Sequence, residues 1–284
     1  MLVHLIDGTY ELFRYFYAPG RSSSPYAATR SVISSMFSML DEGVTHIAIA
    51  TDSVIESWRN DLYDGYKDGA GIDPELYAQF PLLEEGLELA GFTVWPMVEF
   101  EADDGLAAGA TMAAADERVE QVVICTPDKD LGQCVTPDNR IVQYDRRKRQ
   151  LIDYAGVIEK FGVPPESIPD YLGLVGDSAD GFPGLKGWGA KSTAAVLAHY
   201  GRIEDIPAAP GQWEVTVRGA AKLAATLVEH RDDALLFRRI ATVDREGPEV
   251  GTVDGLEYTG AKPEFAAFCE RIDAPALATR AGVG

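Results

Sequence analysis

The sequence predicts an α/β protein built around a doubly wound, mostly parallel sheet. Three short runs of aliphatic and β-branched residues, at 2–6, 45–50 and 121–126, have the length and composition of buried parallel strands. Helical patterns lie between these runs, at about 28–41, 80–90 and 102–117. Because strands and helices alternate along the chain, we expect helices on both faces of one parallel sheet.

Composition narrows the functional classes. With 284 residues, 46% of them hydrophobic and 25% charged, the chain is typical of a folded globular protein. A net charge of −20 argues against a protein that coats nucleic acid or lies on an anionic membrane. The first residues lack a basic segment, and no apolar stretch reaches the ~20 residues that cross a bilayer, so we expect no signal peptide or membrane span. The three cysteines lack metal-binding spacing and indicate free thiols in a reducing cytoplasm: Cys125, Cys134 and Cys269.

C-terminal to the third strand, the pattern changes to a β-hairpin and then to helices. The runs RIVQYD and QLIDY flank a turn at Arg146–Arg149, whose four cations fit either a solvated loop or a phosphate-binding patch. Helical patterns follow at 154–162, 166–175, 213–240 and 263–272. We therefore predict an α/β domain at 1–160, a helical module at 161–245 and a C-terminal segment at 246–284 that packs back on the first domain.

Carboxylates gather at one predicted edge of the sheet. The three strands end at or near Asp7, Asp52 and Asp128, and the carboxyl ends of parallel strands meet at the same edge. More acids lie close together in EFEADD (99–104), TPDKDL (126–131) and GDSAD (176–180). A single pair is often a helix cap, but repelling carboxylates in several groups are typical of sites for Mg²⁺ or Mn²⁺. Two such ions about 4 Å apart can hold the attacking and leaving oxygens of a phosphodiester.

The window 181–203 contains no Asp or Glu, which is unusual in so acidic a chain. Within it, Gly187 and Gly189 precede an alanine-rich helix, and Lys186 and Lys191 flank this Gly-x-Gly turn. Glycines let a phosphate approach the backbone, and a helix N-terminus presents free N–H groups to it. The pattern fits either an ordinary tight turn or a helix–hairpin–helix clamp that binds DNA phosphates without reading bases.

The order and spacing of five segments resemble the structure-specific 5′ nucleases, which comprise flap endonucleases and the 5′–3′ exonuclease domain of bacterial DNA polymerase I. The segments are LIDG…FR, ATD…SWRNDLYDGYK, EFEADD, TPDKDL and GDSADGFPGLKGWGAKS. The resemblance covers about residues 1–240. It implies a PIN-like nuclease domain at 1–160, with a short helical arch around 56–82, and a helix–three-turn–helix DNA-binding module at 161–245. The implied activity is hydrolysis of DNA near 5′ ends and single-strand/duplex junctions with two Mg²⁺ ions, for which Mn²⁺ can substitute.

Carried over position by position, the resemblance implies two metal sites. The acids of the first site are Asp7, Asp52, Glu101 and Asp103, with Asp104 close to them. Asp128 and Asp130 are expected between the sites, and Asp177 and Asp180 complete the second. Arg59 and Lys67, at the base of the arch, are the implied catalytic cations and contact the scissile phosphate.

The resemblance also implies a set of DNA contacts. Phe13 falls where the family has an aromatic ring that stacks on the terminal base. The remaining contacts are Lys186, Gly187, Gly189, Lys191, Arg218 and Lys222. Residues 184–189 match a turn that holds K⁺ through backbone carbonyls in the family.

Two other classes of protein compete with this interpretation. LIDGTY resembles the strand end of haloacid-dehalogenase phosphatases, but their nucleophilic Asp is replaced by Leu5. The second competitor is a catalytically silent DNA-junction binder of the same fold. Such a protein is expected to have lost metal-binding acids, and this sequence keeps them. Residues 56–95 contain two basic and nine acidic residues, so we expect weaker, more salt-sensitive DNA binding than in basic relatives. We expect a cytoplasmic monomer that binds DNA with 5′ flaps, nicks or 5′ ends, with no membrane and no obligate protein partner.

Overall fold

The computed structural model describes residues 1–20 and 22–284, which divide into two compact units. The first unit contains Met1–Ser57, Gly69–Thr126 and Asp244–Gly284, and the second contains Trp58–Asp68 and Pro127–Val243. Each unit combines segments that are distant in sequence. The sequence-based prediction divided the chain into consecutive segments, with boundaries at 160 and 245. The compact units are not consecutive segments, so those boundaries stay a prediction.

The first unit contains a parallel sheet. Its strands are β1 (Leu2–Asp7), β2 (His46–Asp52), β3 (Thr93–Met97) and β4 (Gln121–Cys125), in the order β3-β2-β1-β4. Leu5 pairs with Ala48 on one side and Ile124 on the other, and all three are fully buried. Burial on both faces explains why these strands appear as continuous apolar runs.

Sequence patterns did not reveal β3. Its sequence, TVWPM, includes Pro96, which has no N–H to donate to a neighbouring strand. In this unit β3 pairs with β2 alone, at the end of the strand order, where a missing donor is tolerated.

Both units contain helices, which are numbered along the chain. They are α1 (Gly8–Phe16), α2 (Ala27–Asp41), α3 (Trp58–Leu62), α4 (Pro74–Tyr77), α5 (Gln79–Leu89), α6 (Ala102–Ala114), α7 (Tyr154–Phe161), α8 (Ile168–Val175), α9 (Ala190–Tyr200), α10 (Ala220–Glu229), α11 (Arg231–Ala241), α12 (Phe265–Arg271) and α13 (Pro275–Arg280). The helices predicted between the strands correspond to α2, α5 and α6. No helix of the described residues is long and apolar enough to cross a membrane.

The C-terminal segment packs within the first unit. The Tyr258 N–H donates to the carbonyl of Thr45 at 2.8 Å, and Glu257 bridges to His46 at the start of β2. Phe265 of α12 is fully buried, and its ring centroid lies 5.9 Å from that of Phe37 in α2. This segment therefore completes the core of the first unit.

The second unit is mainly helical. The predicted hairpin is confirmed as antiparallel β5 (Ile141–Asp145) and β6 (Gln150–Ile152). Within the two units, β1 pairs in parallel with β2 and β4, β2 pairs in parallel with β3, and β5 pairs antiparallel with β6, which confirms an α/β protein with mostly parallel strands. Helix is absent over 213–219, contrary to the prediction for 213–240, because Gly219 adopts a left-handed φ of 77° directly before α10.

Candidate active site

Asp7 ends β1 and is held by hydrogen bonds from its own unit. Its carboxylate accepts a 2.7 Å bond from the N–H of Tyr10, as the N-cap of α1, and a 2.8 Å bond from the hydroxyl of Thr126. Thr126 directly follows β4, so the ends of two neighbouring strands are connected. The buried Asp7 side chain thus has a fixed orientation.

Asp52 and Glu101 are brought together at the next part of this edge. The Asp52 carboxylate, at the end of β2, accepts a 2.8 Å bond from the N–H of Ala102, the first residue of α6. The buried Glu101 carboxylate accepts a 2.7 Å bond from the hydroxyl of Ser57. Asp103 lies half-buried in the first turn of α6. The carboxylate at the end of β2 therefore lies beside the start of α6.

Asp104 is held more tightly than the acids around it. It is fully buried, and one carboxylate oxygen accepts a bond from the Glu101 N–H at 3.1 Å. Its other oxygen accepts a bond from the Asp244 N–H at 2.7 Å. Both oxygens therefore serve the backbone of α6 and of the C-terminal segment, which is a structural role that acid spacing alone does not reveal.

The second unit contains a separate acidic cluster. Asp130, Asp177 and Asp180 each present an oxygen, and these three oxygens lie within 4.8 Å of one another. Asp177 is fixed by a bond from the Ala179 N–H at 3.0 Å and by paired backbone bonds with Phe182. Asp128 is exposed, and its carboxylate accepts a 3.0 Å bond from the Asp130 N–H. The structure thus brings acids of TPDKDL and GDSAD close to one another.

Asp130 is electrostatically unfavourable without a cation. Burial, followed by the negative charges of Asp128, Asp180 and Asp177, raises the pKa of its carboxyl well above the usual range. One of its oxygens, Oδ1, is buried and has no hydrogen-bond partner among the described groups. Leaving a buried acceptor unpaired costs about 1–3 kcal/mol. A hard divalent cation would satisfy this oxygen and offset the repulsion, so the donor set fits Mg²⁺ or Mn²⁺.

Two lysines form ion pairs with the cluster. Lys129 pairs with Asp177, and Lys67 Nζ lies 3.0 Å from the carboxylate of Asp180. Burial lowers the pKa of Lys129, but the bond to Asp177 and the charges of Asp130, Asp177 and Asp128 outweigh that effect, so the pKa is raised. Sequence reasoning missed Lys129, although it lies between the two acids of TPDKDL; only the ion pair draws attention to it.

The chain around Lys67 is anchored to the cluster. The Lys67 N–H donates to the carbonyl of Asp180 at 2.9 Å. Gly181 has a left-handed φ of 87°, and a Cβ there would lie 2.2 Å from the carbonyl oxygen of Gly65. Residues 65–67 therefore pack tightly against the loop that carries Asp180.

Arg59 is enclosed by the second unit. The residue is only 2% exposed, and its guanidinium donates to the carbonyls of Ile240 at 2.8 Å and Thr242 at 3.3 Å. It also lies 4.4 Å from the ring centroid of Trp58. Sequence reasoning missed a second cation on this ring: the guanidinium of exposed Arg239 lies 4.5 Å from its centroid.

The predicted phosphate-binding turn has the expected geometry. Gly187 adopts a φ of 92°, and Gly189 is the N-cap of α9. The buried indole of Trp188 donates to the Leu223 carbonyl at 3.2 Å, which fastens the turn to α10. Four predicted DNA-contacting cations are exposed, with no ion pair within the described residues: Lys186, Lys191, Arg218 and Lys222.

Phe13 lies on α1 of the first unit. Its ring is half-buried, with its centroid 6.2 Å from that of Phe80 and 6.2 Å from that of the exposed Tyr17. Base stacking by this ring stays a prediction.

The chain thus combines a parallel α/β unit, which carries capped strand-end acids, and a helical unit, which carries an acidic cluster whose oxygens suit a divalent cation. Comparison with known proteins assigns the chain to a family. The chain belongs to the 5′-3′ exonuclease family: residues 2–162 match its N-terminal resolvase-like domain and residues 163–264 its C-terminal SAM fold.

Individual relatives agree with this family. A 5′-3′ exonuclease from Aquifex aeolicus is 33% identical over 210 residues, which cover 72% of this chain and 71% of that protein. DNA polymerase I from Bacillus caldotenax is 30% identical over 95% of this chain, but this chain spans only 32% of the polymerase. In fold, the chain is similar to a bacteriophage T5 flap endonuclease solved with DNA and metal ions, with a TM-score of 0.64, 22% identity and coverage of 98% and 100% of the two chains.

Proposed function

We propose that this chain is a metal-dependent 5′ nuclease that hydrolyses DNA phosphodiesters near 5′ ends and single-strand/duplex junctions. The observation that carries the proposal is the cluster of Asp130, Asp177 and Asp180, with its unpaired buried oxygen, in a chain of the 5′-3′ exonuclease family. A divalent cation would satisfy that oxygen and offset the mutual repulsion of the carboxylates.

Each unit supplies acids for one ion under this proposal. In the first unit, Asp7, Asp52, Glu101 and Asp103 are the ligands, and Asp104 positions Glu101 through the backbone bond at 3.1 Å. In the second unit, the ligands are Asp128, Asp130, Asp177 and Asp180. We infer Mg²⁺ as the ion and Mn²⁺ as its substitute, because all these donors are carboxylate oxygens.

Ions held by these carboxylates would supply Lewis acidity and would lower the pKa of the attacking water molecule. Attack in line breaks the P–O3′ bond, so the product keeps a 5′-phosphate and the leaving O3′ takes up a proton from solvent. Lys67 is already close to the cluster and contributes a positive charge to the phosphate as negative charge develops. We propose Arg59 as a positioning residue, because its buried guanidinium is bonded to two carbonyls at the end of α11.

DNA contacts depend on local charge rather than on the net charge of −20. We propose that the exposed cations around the Gly187–Gly189 turn and on α10 bind phosphates without reading bases. We propose that residues 184–189 bind K⁺ and that Phe13 stacks on a terminal base. The inferred substrate is DNA with 5′ flaps, nicks or 5′ ends, acted on by a cytoplasmic monomer.

The test is cleavage mapping on matched 5′-flap, nicked and blunt duplexes labelled at the 5′ end. We expect Mg²⁺-dependent cleavage near the junction, a 5′-phosphate on the downstream product and complete loss of cleavage with EDTA. A protein that binds these substrates but leaves them intact in Mg²⁺ and in Mn²⁺ would instead be a silent junction binder.

A further inference from the structure

We propose that Lys129 is a positioning residue that competes with the divalent cation for Asp177, so that metal binding at the second-unit cluster is an exchange with a lysine ammonium. The inference rests on the proposed function in one respect, namely that the cluster of Asp130, Asp177 and Asp180 binds a metal. Lys129 is neither one of the metal-binding acids nor one of the proposed DNA contacts, so this role is an addition to the proposed function.

The geometry around Asp177 makes the competition direct. One oxygen of the buried carboxylate accepts the Ala179 N–H bond at 3.0 Å, and the other pairs with Lys129 Nζ. Both oxygens of Asp177 therefore have a partner. The bond from the Ala179 N–H lies within the loop that carries Asp177, so only the pair with Lys129 can be exchanged without changing that loop. A cation that coordinates Asp177 on its second oxygen must displace or share the Lys129 ammonium.

The neighbouring acid has a comparable arrangement. Asp180 pairs with Lys67 at 3.0 Å, so each of the two lysines engages a different member of the cluster. Two ammonium groups carry the same total charge as one divalent cation. Replacing them with a metal therefore leaves the total charge beside the carboxylates unchanged.

The exchange has a consequence for substrate binding. An ammonium group displaced from a carboxylate next to the metal is available to a phosphate, which is the anion that a nuclease must attract. Lys129 lies one residue from both Asp128 and Asp130, so its backbone stays beside the cluster after its side chain is released. We therefore expect metal and DNA to bind with positive coupling through this residue.

The experiment measures Mn²⁺ binding to the full chain without DNA, by electron paramagnetic resonance of free Mn²⁺ and by calorimetry. The Mn²⁺ site that the natural protein has and that the double variant, Asp177→Asn with Asp180→Asn, lacks is assigned to the cluster and is called the cluster binding class. In Lys129→Met, which keeps the aliphatic stem but lacks the charge, we expect that class to bind about 5–20-fold more tightly, within the usual range of coupling between two sites. We also expect DNA to increase Mn²⁺ affinity less than in the natural protein.

Two control variants accompany this substitution. Lys148→Met removes a cation that pairs with Asp145, outside the cluster, and should leave Mn²⁺ affinity unchanged. Lys129→Arg keeps the positive charge and should stay within about twofold of the natural protein, since a fold-change this small is only ~0.4 kcal/mol. If Lys129→Met does not fold, Lys129→Gln, which also lacks the charge, takes its place: tighter Mn²⁺ binding supports the exchange, and equal or weaker binding contradicts it.

Failure of this inference is distinct from failure of the proposed function. If the natural protein cleaves a 5′ flap and binds Mn²⁺ at the cluster, but Lys129→Met binds Mn²⁺ equally or more weakly, the exchange is wrong and the nuclease assignment stands. If the natural protein neither binds Mn²⁺ at the cluster nor cleaves DNA, both are wrong.

Discussion

The two units hold their carboxylates in different ways. In the first unit, Asp7, Asp52 and Asp104 accept hydrogen bonds from backbone N–H groups that belong to helix starts or to the C-terminal segment. In the second unit, Asp177 and Asp180 pair with lysine ammoniums, and Asp130 keeps a buried oxygen without a partner. The first set is fixed by the fold, whereas the second, apart from the Ala179 N–H bond to Asp177, is balanced by charges that a cation can replace.

This difference separates stability from metal binding. Acids that cap helices contribute to folding with or without a metal, because their partners are part of the backbone. Acids that repel one another in a buried cluster reduce the stability of the metal-free protein and gain a favourable partner when a cation binds. We therefore expect that substituting the capping acids lowers the stability of the metal-free protein and that substituting acids of the cluster raises it.

The largest expected effect is on cleavage, from Asp177→Asn combined with Asp180→Asn. Without these carboxylates the second ion loses two ligands, and we expect the rate of flap cleavage to fall by at least ~10³-fold, or about 4 kcal/mol of transition-state stabilisation. Single-turnover cleavage at saturating DNA measures it. Asp138→Asn, an exposed acid outside the cluster, is the matched control and should cleave at the normal rate. Near-normal cleavage by the double variant would remove these residues from the metal site.

The next effect is on folding, from Asp104→Ala. Both oxygens of this fully buried carboxylate accept backbone N–H bonds, which the variant leaves unpaired. We expect a loss of about 2–4 kcal/mol in the free energy of unfolding, measured by urea denaturation with and without Mg²⁺. Asp103→Ala, one residue away and half-buried, should unfold within about 1 kcal/mol of the natural protein yet cleave poorly. Equal stability of the two variants would contradict the structural role of Asp104.

Asp130→Asn should have the opposite sign. It removes a buried charge that is repelled by Asp128, Asp177 and Asp180, and we expect the metal-free protein to gain about 1–2 kcal/mol in stability. Mg²⁺ should raise the melting temperature of this variant less than that of the natural protein, because only the first-unit acids still bind an ion, and the variant should also fail to cleave. A variant less stable than the natural protein in EDTA would show that the Asp130 charge is compensated within the fold.

The smallest effect concerns DNA affinity, from Lys186→Ala combined with Lys191→Ala. These exposed cations flank the Gly187–Gly189 turn, and removing two phosphate contacts should flatten the slope of log affinity against log salt by about 1–2 units. The weakening should be equal for any base sequence, with the cleavage rate at saturating DNA unchanged. An unchanged slope would place the DNA contact elsewhere, and Arg146–Arg149 would be tested next.

The features that were predictable from sequence are local. Buried parallel strands appear as apolar runs, and the acids at the ends of β1 and β2 follow from where those runs stop. The association of TPDKDL with GDSAD could be predicted only from the resemblance to a family, because no local sequence pattern connects residues so far apart. The ion pair of Lys129, the anchoring of Arg59 and the double backbone bond of Asp104 depend on tertiary contacts, so the sequence showed these side chains without showing their partners.

The most direct test is an anomalous-scattering map of crystals soaked in Mn²⁺, compared between the natural protein and Asp177→Asn with Asp180→Asn. We predict an ion bonded to Asp130, Asp177 and Asp180 in the natural protein, with Lys129 no longer paired with Asp177. We further predict that this ion is absent in the double variant, while Asp7 and Asp52 keep their positions. Soaked crystals in which no ion lies at the cluster and both lysine pairs remain intact would contradict the account.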